Sequence, residues 1–194
     1  MTRRAIDAEA ALVDLASEGK HRMAVRLARQ LLAERGPAYS CAVFRAAAAG
    51  NLGALVPDAE QAVQTTSHTE VAFAAAYALG RLYARRSVPI LIKTLQSRRS
   101  ARVRAVAAEA LGEIGDVRAE RALREALSDR SAEVRLFAAF SLGNLGTEGS
   151  LAELSRVGKT DSAVVRNHGT VAAEARRAQR RVRNRLRGGI CQRG

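Results

Sequence analysis

Three histidines, two cysteines and 19 acidic residues are the side chains from which this 194-residue chain would have to build a reactive or metal-binding centre. His21, His68 and His168 stand neither three nor four residues from one another, and none has a carboxylate at the spacing a zinc or iron site needs. No metal and no cofactor is therefore expected. Cys41 lies in the apolar run Cys41-Ala42-Val43-Phe44 and reads as a packing thiol rather than a nucleophile. Cys191 is too remote in sequence to suggest a metal pair or a disulfide framework, and reads as an exposed thiol. Glu109 and Glu113 share one helical face, where a solvated surface is a simpler reading than general acid–base work. The glycines at 80, 112 and 143 recur at a fixed period instead of clustering into a phosphate loop. The sequence thus predicts a chain that is not an enzyme and takes no small-molecule substrate.

The chemistry that is abundant is cationic. Lys and Arg number 32 against 19 acids, a formal charge of +13. The excess is concentrated in two blocks. No acid occurs between Glu70 and Glu109, a stretch holding Arg81, Arg85, Arg86, Lys93, Arg98, Arg99, Arg102 and Arg104. From Arg166 to Arg193 arginines stand at 166, 176, 177, 180, 181, 183, 185, 187 and 193, with Glu174 the one acid. Guanidinium groups suit bidentate contacts to carboxylate or phosphate, so an anionic partner is expected. Candidate contact residues are Arg81, Arg85, Arg86, Lys93, Arg98, Arg99, Arg118, Arg121, Arg176, Arg177, Arg180, Arg181 and Arg183. The aromatics Phe73, Tyr77, Phe137 and Phe140 fall at helical spacing without interleaved arginine, which favours packing over base stacking.

These charges need elements to carry them, and the elements repeat. The segment from Val103-Arg104 through Ala110-Leu111-Gly112 to Gly115-Asp116 returns, 31 residues on, from Val134-Arg135 through Ser141-Leu142-Gly143 to Gly146-Thr147. Looser copies open at Val71 and at Val165-Arg166, and Val56-Pro57 returns as Val88-Pro89. Val103, Ala107, Leu111 and Ile114 share one helical face, and Ala119, Ala122, Leu123, Ala126 and Leu127 form a stripe on a second helix. Gly115 is suited to end the first helix in the left-handed conformation, and Asp116 to cap the second. Small residues at Gly80, Gly112 and Gly143 would let neighbouring helices approach closely. Neither helix buries its stripe alone, so the pairs must stack.

The pattern Val-Arg-x-x-Ala-Ala-x-Ala-Leu-Gly-x-Ile-Gly-Asp at 103–116 resembles the HEAT repeat, in the short form named after phycobilisome lyase subunits. The resemblance is specific over about residues 69–166 and extends back to about 38. It implies an all-α, HEAT-like α-solenoid of about five to six antiparallel helix pairs in a single domain, residues 1–187. Residues 1–37 form a divergent hairpin that fits a TPR-like cap equally, 38–160 the repeats, 161–187 a basic capping helix, and 188–194 a flexible tail. The family often places an Asp six residues before the Val-Arg arginine. Asp129 fits for Arg135 and Asp161 nearly fits for Arg166, while Arg98 holds that place before Arg104, where the link is expected to be missing. The arginines at 104, 135 and 166 are expected to tie repeats together. HEAT proteins resembling deoxyhypusine hydroxylase hold iron with His-Glu pairs, whereas here Arg22, Thr69 and Gly169 follow the histidines. The HEAT-like DNA glycosylases use tryptophan-rich surfaces, and this chain has no Trp.

The functional expectation is a scaffold that docks an acidic protein surface or a larger assembly through a basic-biased face and an Arg-rich C-terminal helix. The alternatives are nucleic-acid binding directed to the phosphate backbone, RNA or DNA, and, by resemblance alone, a bilin lyase-like subunit. No apolar run is long enough to span a membrane, and acids stand where a signal peptide needs apolar residues, so a cytoplasmic protein is expected.

Overall fold

The computed structural model describes residues 2–34 and 36–190. Helices account for most of the described backbone. The chain divides into two compact units, one ending at Ile90 and the other starting at Leu91.

In the first unit the helices are α1 (Arg3–Ser17), α2 (His21–Glu34), α3 (Pro37–Ala49), α4 (Val56–Thr65) and α5 (Thr69–Arg81); α6 (Val88–Leu95) contains the boundary. The first helices of successive pairs pack in a row, α1 on α3 and α3 on α5, with α2 against α1 and α3 and with α4 against α5. The N-terminal segment is a helix pair, and its second helix delivers Ala24 and Ala28 to the core beside Leu12, Val43, Ala46, Leu52 and Leu55, with Leu27 and Leu31 at its margin.

The second unit repeats the scheme with α7 (Ala101–Ile114), α8 (Glu120–Ala126), α9 (Ala132–Leu145), α10 (Leu151–Thr160) and α11 (Val171–Ile190). α7 packs on α9, α9 on α11, and α8 and α10 lie against α9 and α11. Val103, Ala107, Leu111 and Ile114 are all buried, as are Ala119, Ala122, Leu123, Ala126 and Leu127. Stripes read from periodicity are therefore the inner faces of the helices, and the alanines let them lie close together. Where α7 and α9 cross, Ser141 Oγ donates to the Ala108 carbonyl at 2.8 Å. A Cβ at Gly112 would fall 2.8 Å from the Ser141 Cα, so glycine is the residue that permits this crossing.

Helix ends recur as regularly as helix faces. Asn51, Tyr83 and Gly115, each 32 residues apart, all adopt positive φ, at 50°, 49° and 68°. At the first two, the following N–H reaches back to close the helix, Leu52 to the Ala47 carbonyl at 3.0 Å and Ala84 to the Leu79 carbonyl at 3.1 Å. Gly115 is the left-handed terminator expected from sequence, and the Asp116 side chain accepts from the Arg118 N–H at the start of the next turn.

The repeat loses its register near the C-terminus. A helix is expected from residue 161, with Val165-Arg166 opening a new copy. The backbone instead forms a two-residue hairpin, Val164–Val165 against Gly169–Thr170, and α11 starts at Val171. Asn167 (φ 64°) and Gly169 (φ 87°) supply the turn, and β-branched residues flank it. Thr170 Oγ1 then accepts from the Ala173 N–H at 3.1 Å and starts the helix. The buried stripe of α11 is Val171, Ala175, Ala178 and Val182, with Ala172 beside it, whereas Leu186, one turn beyond Val182, is 37% exposed. Gly188 and Gly189 do not end the helix, which runs to Ile190. The rest of the expected tail, residues 191–194 with Cys191, lies outside the described residues.

Tyr83 is the bulky member of the left-handed series and is 63% exposed, so it pays backbone strain without much burial in return. Tyr83→Gly should raise stability by about 1 kcal/mol in urea denaturation. An unchanged or lowered midpoint would show that the tyrosine ring carries contacts outweighing the strain.

A basic interface as the candidate functional site

The residue types from which a catalytic or metal centre would be built are dispersed among the described residues. Cys41 is buried in α3, as a packing thiol should be. His21 and His68 are exposed, and His168 in the hairpin meets the Phe137 ring edge-on at 5.3 Å. Among the described residues no three His, Cys, Asp or Glu side chains come together as metal ligands. Glu109 and Glu113 are half-buried rather than on an open face.

The arginines sort into distinct groups by what accepts their protons. The first group ties consecutive repeats of the second unit together. Arg104, 3% exposed, donates from Nε and Nη2 to both oxygens of Asp129 at 2.8 Å, and from Nη1 to the Arg99 carbonyl at 2.5 Å. Arg135 does the same with Asp161, at 2.6 and 3.1 Å, and with the Asp129 carbonyl at 2.8 Å. The link expected between an Asp and the arginine six residues later is thus made forward, from an arginine to the aspartate of the next repeat. Arg104, expected to lack it, has it in its most buried form. Arg166 does not join the series, because it sits exposed in the hairpin. The same aspartates also organise their loops, accepting from the N–H two residues on: Asp129 from Ser131 at 2.7 Å and Asp161 from Ala163 at 3.2 Å. Thr66 and Ser97 do likewise in earlier loops, with His68 and Arg99.

These contacts displace titration. Hydrogen bonding from Arg135 holds the Asp161 carboxyl below its ordinary range against the opposing effect of burial. Burial pushes Asp129 up, but the bonds from Arg104 and the Ser131 N–H, with the charges of Arg104 and Arg130, outweigh it and leave its pKa lowered. The guanidinium groups of Arg104 and Arg135 are raised correspondingly by their carboxylate bonds.

A second group lies on the second helices and the turns before them. Arg118 pairs with Asp116 at 2.8 Å, Arg121 with Glu125 at 3.0 Å, and Arg124 with Glu153 of the following repeat. Gln96 also donates to Glu125 at 3.0 Å. In the first unit Arg29 meets Asp58 at 3.3 Å and Arg86 meets Glu60 at 3.4 Å. Of the residues singled out from sequence, Arg86, Arg118 and Arg121 therefore have acids beside them. Arg81, Arg85, Lys93 and Arg98 are exposed, and Arg99 is half-buried.

The third group is on α11, whose circumference separates anchoring from outward-facing arginines. Towards α9, Arg181 bonds Glu174 at 2.6 Å and the Phe140 carbonyl at 3.3 Å, and its guanidinium stands 5.1 Å from the Phe140 ring centre. One turn on, Arg185 donates to the Gly143, Asn144 and Gly146 carbonyls, the unsatisfied C-terminal end of α9. Towards α10, Arg176 donates to the Gly158 carbonyl. Arg177 lies 3.4 Å from Glu174. On the remaining face Arg180, Arg183 and Arg187 follow at steps of three and four, and so share one outer stripe. All three are exposed, with no hydrogen-bond or ion-pair partner among the described residues. Of the five α11 arginines singled out from sequence, Arg180 and Arg183 belong to this stripe, Arg176, Arg177 and Arg181 are tethered, and Arg187 was missed. Its signal was available in the spacing 180, 183, 187.

Successive short helix pairs whose first helices pack in a row within each unit define a helical-repeat fold. The HEAT-repeat family model matches residues 29–111 and 88–174, together more than half of the sequence, so the chain belongs to the HEAT-repeat family. A crystal structure described as that of an engineered protein is similar in fold, with a TM-score of 0.60 and 21% identity over 92% of this chain and 90% of that one. No curated protein matches the chain. No helix among the described residues is long and apolar enough to cross a membrane.

Because Asp129 and Asp161 titrate lower when folded, their contribution is present at neutral pH and above about pH 4, and is lost as pH falls through their native values. The double variant Asp129→Asn/Asp161→Asn should be less stable at pH 7 and show a shallower loss of stability in acid. Parallel acid-unfolding slopes for variant and parent would dissociate these pairs from stability.

Proposed function

We propose that the chain is a non-enzymatic docking module that holds an acidic protein surface, or an assembly presenting one, against the outer stripe of α11. The observation that carries this reading is the contrast around one helix. Arg181, Arg185 and Arg176 are committed to carbonyls and to Glu174, whereas Arg180, Arg183 and Arg187 find no acceptor among the described residues. A capping helix needs a polar outer face, but clustering like charges raises their mutual repulsion. An acidic partner relieves that repulsion, and arginine suits it through bidentate pairing with carboxylates. The second helices support the same choice of partner. Their arginines are interleaved with Glu125 and Glu153, which a uniformly charged phosphate backbone would meet unfavourably.

The test is recovery of partners from the native cell by the full chain and by Arg180→Glu/Arg183→Glu/Arg187→Glu, with and without nuclease. Because the stripe makes no internal bonds, the variant should keep its circular dichroism and melting point. A protein partner retained after nuclease and lost with the variant is the expected result. Partners released by nuclease would replace this reading with phosphate-backbone binding, whose affinity should fall with salt at a slope of about −0.9 per neutralised phosphate on duplex DNA.

A further inference from the structure

A second unpaired set of arginines stands in the unit that begins at Leu91, on a groove built from other residues than the α11 stripe. The groove has a volume of about 720 Å³ and lies between the end of α6 with the loop after it and α8 with the loop after that. Leu95, Ala122 and Ala126 form its apolar part, and each is nearly inaccessible. The Arg104–Asp129 pair and the Gln96–Glu125 hydrogen bond cross it. Both acids are thus occupied: Asp129 by Arg104 and the Ser131 N–H, and Glu125 by Arg121 and Gln96.

What is left over is cationic. Arg98 and Arg130 both line the groove, both are exposed, and neither side chain has a hydrogen bond or ion pair among the described residues, although the Arg130 carbonyl accepts from Arg135 at 3.3 Å. They are the same repeat position, each following the loop residue that accepts the N–H two places on, Ser97 in one case and Asp129 in the other. In the loops before and after, that position is Ser67 and Ser162. Arginine is therefore a feature of the two repeats that form the groove and no general requirement of the loop.

We propose that this groove seats an extended acidic segment of a protein partner, with carboxylates of the segment paired to Arg98 and Arg130. The proposal rests on the acidic-partner reading of α11 and names a second place where such a partner is gripped. The volume falls within the range of ligand-binding clefts, about 300–1,000 Å³, and suits a run of residues better than a single side chain. No lining residue is aromatic, so nothing there stacks a base. A nucleic-acid strand, with a charge about every 3.4 Å, would also have to pass Glu125 and Asp129, whereas a peptide can place its carboxylates at the two arginines alone.

The experiment measures fluorescence anisotropy of a short labelled peptide of alternating Glu and Leu against the full chain, with unlabelled peptide or oligo-dT as competitor. Arg98→Glu/Arg130→Glu is compared with Arg22→Glu/Arg26→Glu, which makes the same charge change on exposed residues of α2 and controls for net charge. Circular dichroism confirms that each variant folds. Affinity should fall at least about tenfold for the groove variant, the loss of about 1.4 kcal/mol or more, and less than about twofold for the control. Equal losses in both, no loss in the groove variant, or stronger competition by oligo-dT than by peptide would each overturn the groove assignment. The Arg180→Glu/Arg183→Glu/Arg187→Glu variant separates the two ideas. If it alone loses the peptide, the acidic-partner reading stands and the groove falls; if neither variant loses it, both fall.

Discussion

A guanidinium group that is almost wholly buried must find several acceptors or destabilise the fold, and the second unit is arranged around that demand. Arg104 and Arg135 enter at the fourth residue of α7 and α9, on the edge of the apolar face that the stack requires. Each obtains both oxygens of an aspartate supplied by the next repeat, and a carbonyl from the loop preceding its own helix. The connections interlock, because Asp129 binds Arg104 through its carboxylate and Arg135 through its backbone carbonyl. Removing one member leaves another charge buried without its partner, which costs more than the pair itself contributes. Gly112 leaves room for Ser141 of α9 against α7.

The chain changes character after α10, where a hairpin replaces the start of another repeat copy. Arg166 is placed in that hairpin, where water solvates it, and the final helix begins later and by different means. α11 takes up the accounts left open by its neighbours: Arg185 satisfies the carbonyl end of α9, Arg176 reaches the last turn of α10, and Arg181 joins Phe140 to Glu174. This arginine-rich helix both satisfies carbonyls at the end of α9 and carries an exposed charged stripe. Its two roles are divided by the helical period, not by segments of sequence.

Much of the fold was legible because it depends on short-range periodicity. The stripes from Val103 to Leu127 and the Gly115 terminator follow from helix geometry alone, and all lie where that geometry puts them. The direction of the Asp–Arg link was not legible. Sequence spacing shows that Asp129 stands near Arg135, but whether its carboxylate turns to that arginine or back to Arg104 depends on how α7 and α8 stack beside α9. The hairpin was legible in principle from Val164-Val165, Asn167 and Gly169; the strength of the 31-residue period masked it. The candidate interface was half visible. Counting charges finds the Arg-rich helix, but backbone carbonyls carry no formal charge, so the count cannot tell that Arg185 is committed and Arg187 is not. The same blindness hid Arg130, whose loop partner Arg98 was seen only as part of a cationic run.

The division between committed and outward arginines rests on the inter-repeat pairs being energetically coupled, and a double-mutant cycle on Arg104→Gln and Asp129→Asn measures that coupling most directly. Urea denaturation of the parent, both single variants and the double variant gives the pairwise term. The account requires a favourable coupling of about 1–3 kcal/mol, with each single variant substantially less stable than the parent. Single effects that simply add, within about 0.3–0.5 kcal/mol, would contradict it and leave no energetic ground for separating structural arginines from those available to a partner.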